Sequence, residues 1–527
     1  MRVLDNVTIQ IGYKDYYKNN KSFNSLIGSK KSNSQKIEIN SNLFYLLSLL
    51  EYSKEKKQDF LQVIKENNCN FPWQKGYFDN QKYTLCGDNC ISYLFAKILN
   101  EDFIITESND NVYKQVFDLI IKMNDLDPVL LQKIKYKEQD QFLAGLSIQH
   151  YNDNPVAMFK RTNDIFLNSS EMEPYRTLFH QINNINFNDY IYYIYFINVH
   201  LDNLSNEIEL HNYTKNRFCI DIKDISEKFT LDYKRLKEIM NYISFTQIDI
   251  KNNKNKELDL FRQKPFFKIK NDIFLPINRK FVHELYYINI FHRLLNLNED
   301  EKKRSLFLKN FGIALENYVV SIAHNRMNKT KYNFYPEMII VNNDKSPDLL
   351  IINEEKKEVI VFEVKAARIM KSFVDSFLDK ENFIKSINKQ IEKPILQAYK
   401  AVEKMKKYKT LQLNDNYSFF YCSVTFDSIP MQNTINLELQ TENGKLNNYI
   451  NMSIEGFELF IRLITSQDCP FTPYQLLCEY NKQKITSFKN FITRIEKFYN
   501  CKNTMMEVEF LSSQDNYLKV IQERKQI

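Results

Sequence analysis

Two short apolar runs, Leu349-Leu350-Ile351-Ile352 and Val359-Ile360-Val361-Phe362, constrain this chain more than any other feature. Both are rich in branched aliphatic residues, and only the polar stretch Asn353-Glu-Glu-Lys-Lys-Glu358 separates them. Runs of this length and composition predict strands, and a short polar loop between them predicts an antiparallel hairpin. The second run does not alternate with polar residues, so it reads as a strand buried on both faces of a sheet.

If Asn353 pairs with Glu358, then Asp348 stands directly opposite Glu363. Facing side chains in such a pair have Cβ atoms about 5 Å apart. Lys365 lies two residues beyond Glu363 and therefore points to the same face. A slip of one residue would turn one strand over and scatter the group. Two facing carboxylates repel unless a shared proton, a basic neighbour or a divalent cation neutralises them. Hard oxygen ligands with an open position suit Mg²⁺ or Mn²⁺. Such an ion polarises a phosphoryl oxygen and acidifies a bound water. Lys365 would then orient that water or stabilise the charge that develops on phosphorus oxygens. These are the requirements of metal-dependent phosphodiester hydrolysis.

The neighbouring sequence predicts a compact α/β succession. Leu306 to Arg326 reads as a long helix. Tyr335 to Val341, Pro347 to Ile352 and Glu358 to Lys365 read as strands, and Tyr417 to Phe426 as a fourth. Between the third and fourth strands, Ile391, Ile395, Ala398, Val402 and Met405 form one apolar stripe on a helix from Ile387 to Lys407. Pro394 is expected to start or kink its regular part.

At these residues the sequence resembles the PD-(D/E)xK nuclease superfamily, whose fold is restriction-endonuclease-like. Pro347-Asp348 matches the first half of its motif and Glu363-Val364-Lys365 the second. The order of helix, three strands, helix and strand also matches, over roughly residues 304 to 427. An E-x-K triplet alone means little, because Glu55-Lys-Lys57, Glu301-Lys-Lys303 and Glu354-Glu-Lys356 match it too. The Pro-Asp dipeptide, by contrast, occurs once.

The resemblance implies an α/β (α+β) restriction-endonuclease-like core and an Mg²⁺- or Mn²⁺-dependent nuclease. Glu316, in Gly312-Ile-Ala-Leu-Glu316, matches the Glu of the family's first core helix. By that resemblance Glu316, Asp348, Glu363 and the backbone carbonyl of Val364 would hold the ion, and Lys365 would act in catalysis. Gln397, with Tyr399, takes the place of a Gln and Tyr that some branches use, at a different spacing. The four cysteines Cys422, Cys469, Cys478 and Cys501 are too scattered for the iron–sulfur cluster of one branch. The partner implied is nucleic acid, DNA ahead of RNA, with a homodimer or a separate partner protein left open. The setting implied is prokaryotic defence. The alternatives are a catalytically silent nucleic-acid or protein-binding protein with this fold, or a repair or recombination nuclease.

Four regions are expected along the 527 residues. Residues 1–204 read as a mainly helical N-terminal region and 205–300 as a mixed α/β connector. Residues 301–430 would form the nuclease core and 431–527 a helical extension. In the connector, Ile225–Phe229 and Leu231–Ile243 look like two helices before a hairpin near 265–276, a winged-helix-like order. The second helix carries Lys234, Arg235 and Lys237. Asn298 to Arg304 is charged throughout but for its first residue and marks the main boundary.

Composition excludes several classes. No apolar run reaches membrane-spanning length, and no apolar signal-peptide core follows Met1, so a cytoplasmic protein without a membrane partner is expected. Only 8 glycines are present and none builds a phosphate loop, which argues against an ATPase motor. The abundance of Phe and Tyr, 40 and 33, fits an AT-rich coding genome better than a special function. The net charge of +7 is small for this length. From Val364 to Lys409, however, twelve Lys and Arg stand against five Asp and Glu, which suits a polyanion beside the site. Cys69, Cys86 and Cys90 lack zinc-site spacing and read as ordinary thiols. His324, two turns after Glu316, reads as a surface or core histidine.

Overall fold

The computed structural model describes residues 9–10, 37–67, 83–84, 86, 90–107, 112–124, 155–210, 217–253, 257–327, 330–368, 380–426, 437–483 and 486–501. The protein is mixed α/β and divides into two compact units. The first comprises Met1–Ile134 with Thr177–Leu294, the second Lys135–Arg176 with Leu295–Ile527. Four consecutive regions were expected. The chain instead crosses between two discontinuous units, so residues before 177 contribute to both. Among the described residues no helix is long and apolar enough to cross a membrane.

In the first unit, helix α1 (Ser41–Tyr52) is buried at every residue and capped by Asn40, as befits an interior helix. Its Glu51 is neutralised by Lys57 at 3.2 Å and accepts from Ser92 and Asn278. Ser92 lies on α2 (Cys90–Leu99). Further along come α3 (Phe187–Glu207), β1 (Ile220–Asp221), α4 (Ile222–Phe229) and α5 (Tyr233–Tyr242). Then follow β2 (Ser244–Phe245), β3 (Phe266–Lys270) and β4 (Ile273–Pro276). The sheet order is β1-β4-β3-β2; the β3–β4 hairpin and the β1–β4 pair are antiparallel.

The second unit is built on a five-stranded sheet. Helix α6 (Glu301–Met327) precedes β5 (Asn333–Pro336), β6 (Leu349–Asn353) and β7 (Glu358–Lys365). Helix α7 (Lys393–Lys407) leads to β8 (Ser418–Thr425), then β9 (Tyr449–Ser453) and α8 (Ile454–Ile464). The order is β9-β8-β7-β6-β5, antiparallel from β5 to β7 and parallel from β7 to β9. One face carries Leu350, Ile352, Val359, Val361 and Tyr421, and the expected stripe of α7 packs on it. On the other face Phe362 meets Phe457 and Phe460 of α8, and Phe426 meets Phe311 of α6. The strands of the central hairpin are thus covered on both faces.

Three features depart from the sequence reading. The strand expected from Tyr335 to Val341 is split: Asn333–Pro336 joins the sheet, while Ile339–Val341 turns back onto Asp344–Lys345. Pro336 offers no N–H, and Asn342 and Asn343 take the positive φ of a tight hairpin. The segment after 430 is not purely helical, because Tyr449–Ser453 adds a fifth strand, parallel to its neighbour. Its central Asn451, a residue disfavoured in strands, hid it. Finally, the segment 155–172 packs within the second unit. Arg161 makes two 2.7 Å bonds to the buried Glu458 of α8, which also accepts from Tyr318 of α6. Phe166 stacks on Phe311. Partners some 297 residues apart leave no local mark in a sequence.

Candidate metal centre

The β6–β7 register runs from Asn353 opposite Glu358 to Leu349 opposite Phe362. One step further sets Asp348 opposite Glu363, as the hairpin argument requires. On the other side of β6, Leu349 pairs with Pro336, so the same step sets Glu337 opposite Asp348. Glu363 in turn is level with Ser423, and Ser423 with Asn451. A single polar row, Glu337-Asp348-Glu363-Ser423-Asn451, therefore crosses the sheet where its apolar part ends.

Asp348 and Glu363 are both buried. Asp348 Oδ2 accepts the backbone N–H of Val364 at 2.6 Å. By the register the residue opposite Val364 is Pro347, which has no N–H to return. The Val364 carbonyl points to the same side of the strand as its N–H, toward the Asp348 carboxylate. Pro347 thus has a physical role beside Asp348: it leaves a strand carbonyl free of its ladder partner.

Lys365 Nζ donates to Glu363 Oε1 at 2.5 Å. Glu316 reaches in from α6. One carboxylate oxygen each from Glu316, Glu337 and Asp348 lie within 4.8 Å of one another, the one such group among the described residues. Glu337 is held by Lys345 Nζ at 2.7 Å. The group expected from the sequence therefore gains a further carboxylate. Glu337 joins Glu316 and Asp348, while Glu363 stands beside Asp348 with Lys365 on its carboxylate. Glu337 escaped the sequence reading because no tight turn fixes the β5–β6 register.

Burial, then the Asp348 and Glu337 charges, raise Glu316 from 4.5 to about 7. Burial and Asp348 raise Glu363 to about 7 against the pull of Lys365. Burial raises Asp348 as well, against the Val364 N–H and Lys365. Burial works to lower Lys365, but the Glu363 and Asp348 carboxylates outweigh it and raise the ammonium. Four acids crowded together, Asp348 and Glu363 buried and Glu316 and Glu337 half-buried, with Lys345 and Lys365 as the lysines paired to them among the described residues, need further positive charge or protons. An all-oxygen set of this kind fits a hard divalent cation such as Mg²⁺ or Mn²⁺, with the Val364 carbonyl at its edge.

Gln397 does not belong to this centre. Its side chain is exposed, off the buried stripe of α7. The glutamine that does lie over the polar end of this sheet face is Gln390, in the π-turn Asn388–Glu392 that enters α7. Pro394 lacks the N–H that would bond the Gln390 carbonyl four residues back, so the helix opens there. Asn451 Nδ2, which also bonds Ser423 and Thr425, donates to that carbonyl at 3.3 Å. The Gln390 amide is fully buried and neither Oε1 nor Nε2 finds a protein partner. Asn451 is two strands, roughly 10 Å, from Glu363. Pro394 was the one signal in the sequence for this break.

The remaining sequence candidates lie elsewhere. His324 is exposed, edge-on to Phe334. Cys422, Cys469, Cys478 and Cys501 are free thiols, as are Cys86 and Cys90; Cys69 lies outside the described residues. No protein-family model, no curated protein and no solved structure significantly matches this chain.

Proposed function

We propose that the second unit is a metal-dependent nuclease with a restriction-endonuclease-like core, of the PD-(D/E)xK kind, acting most readily on DNA. The observation that carries this reading is the row Glu337-Asp348-Glu363, with Lys365 on the same strand and Glu316 reaching in from α6. The element order α6-β5-β6-β7-α7-β8 supports it.

In this reading Glu316, Glu337, Asp348 and the Val364 carbonyl hold Mg²⁺ or Mn²⁺. Bound there, the ion supplies positive charge to a phosphate oxygen and acidifies a water. Glu363 keeps Lys365 protonated and aimed along the row. The Lys365 ammonium then hydrogen-bonds a non-bridging phosphate oxygen as negative charge builds on it. The buried Asp348–Val364 bond holds the carboxylate in place. The setting we propose, cytoplasmic defence against foreign DNA, follows from the family resemblance alone.

The test is incubation of supercoiled plasmid, linear DNA and RNA with the full chain and Mg²⁺ or Mn²⁺, beside Asp348→Ala. Metal-dependent cutting by wild type that the variant loses is the expected result. Equal cutting by both proteins would overturn the assignment.

A further inference from the structure

In the first unit α4, α5 and the β3–β4 hairpin form a second nucleic-acid site, and we infer that it is a winged-helix module that docks α5 into the major groove of duplex DNA. Helix α4 ends at Thr230, whose φ of 53° turns the chain, and Asp232 caps α5 through the Arg235 N–H at 2.8 Å. Only three residues separate the two helices, which is helix-turn-helix spacing. Strand β1 precedes α4 and pairs with β4, giving the sheet order β1-β4-β3 beside the helices.

Helix α5 divides by face. Leu236, Ile239 and Met240 are buried. Lys234, Arg235, Glu238 and Asn241 line the outer face with Lys237, so that face holds three cations and one anion. The hairpin extends that surface. Lys268 of β3 donates to Asn241 at 3.1 Å, and Lys270 is exposed near the hairpin tip. At the tip, Asp272 accepts from Tyr233 at 2.7 Å and forms an ion pair with Lys237 at 2.8 Å. These bonds fix helix and wing as one surface.

Arg235 and Lys237 are partnered by Asp189 and Asp272, but their side chains are 60% and 40% exposed. The two carboxylates are only 13% and 19% exposed, so the pairs hold the two cations in place, while a guanidinium or ammonium keeps further N–H donors on its solvent side for a phosphate oxygen. Arg235 and Asn241, two turns apart at most on the outer face, are the residue types that read guanine and adenine edges. A helix with its flanking wing fits the wide major groove of B-form DNA, whereas the A-form groove of duplex RNA is too deep and narrow. The site is separate from the metal centre, and its binding does not require turnover.

The test uses the full-length Asp348→Ala protein, in EDTA, with a fluorescein-labelled 30-base-pair DNA of mixed sequence. The same sequence as single-stranded DNA and as duplex RNA serves for comparison. Binding is followed by anisotropy across a salt series. Duplex DNA should bind best, and adding K234A/R235A/K237A should weaken it about tenfold or more. The slope of log K against log salt should flatten by about two to three, one per lost phosphate contact. A K303A/K445A/K482A control, with equal charge loss on exposed second-unit lysines, should bind as the parent does. A circular-dichroism melt unchanged by the triple substitution keeps misfolding out of the comparison. Unchanged duplex affinity in K234A/R235A/K237A, or a preference for single strands or RNA that this variant abolishes, would overturn the inference. Absence of Mg²⁺- or Mn²⁺-dependent cutting by the wild-type chain, with duplex binding intact in this assay, would instead count against the nuclease reading alone.

Discussion

Replacing Glu363 by glutamine tests the electrostatics of the centre without relying on any substrate. The Glu363 carboxyl is buried beside Asp348, with Glu316 beyond it, and Lys365 is the cation in contact. Glu337 and Lys345 complete the charged groups around Asp348. Burial, then the Asp348 charge and more weakly that of Glu316, raise Glu363 from 4.5 to about 7 against the pull of Lys365. A raised carboxyl binds its proton more tightly in the folded state than in the unfolded one. Its contribution to stability is therefore greatest below about pH 4.5, falls as pH rises toward 7 and is level above that. At about 1.4 kcal/mol per pH unit, ionised Glu363 costs the metal-free fold about 3 kcal/mol. The glutamine keeps the shape and the hydrogen-bond acceptor for Lys365 but not the charge. In EDTA, Glu363→Gln should exceed wild type by about 1 kcal/mol or less at pH 5 and by up to about 3 kcal/mol at pH 8. That is about 5–10 °C in the melting of a unit of this size. Scanning calorimetry at pH 5, 6.5 and 8 measures it, each with EDTA, Mg²⁺ and Mn²⁺. Millimolar cation at pH 8 should stabilise wild type more than the variant, because part of the repulsion it relieves is already gone. If the variant follows wild type across this pH range in EDTA, the carboxylates are not crowded as described and the case for a cation weakens with them.

Two further outcomes follow from buried groups. Arg161→Ala leaves Glu458 buried without its bidentate partner and should destabilise the second unit by about 3–5 kcal/mol, read by urea unfolding. Gln390→Leu removes an orphaned buried amide, so it should leave stability unchanged or raise it by about 1–2 kcal/mol while lowering nuclease turnover. Gln397→Ala, on the exposed face of α7, should alter neither; the reverse ranking would restore Gln397 to the centre.

The central hairpin was readable because three local facts agree: two branched aliphatic runs, a polar turn and the Asp348–Glu363 spacing. Strand period and pairing then fix the register that sets Asp348 opposite Glu363, since a slip of one residue would turn one strand over and scatter the two carboxylates. The α7 stripe was readable for the same reason, from helical period. What escaped was non-local. Glu337 depends on how β5 meets β6 across an excursion that holds its own small hairpin. Strand β9 depends on pairing with β8 around Asn451, and the Arg161–Glu458 bond on two segments with no shared pattern. Gln390 was missed for a subtler reason. Pro394 announces a break, but which side chain the resulting π-turn turns inward is set by the sheet beneath it. In the first unit the two helices and the hairpin were legible one by one, while β1, only two residues long, drew its place from β4.

The bond between Arg161 and Glu458 also sets a schedule for synthesis. At about 5–20 residues per second, the ribosome delivers Glu458 roughly 15–60 s after Arg161. Throughout that interval the bond cannot form, while the first unit, complete once Leu294 has emerged, is free to close. The nascent chain therefore carries residues 155–172, with Phe159, Arg161 and Phe166 among them, between the two sequence segments of the first unit before its own partners exist, Phe311 of α6 emerging first and Glu458 of α8 last. Its contacts within the second unit are completed only when α8 leaves the exit tunnel.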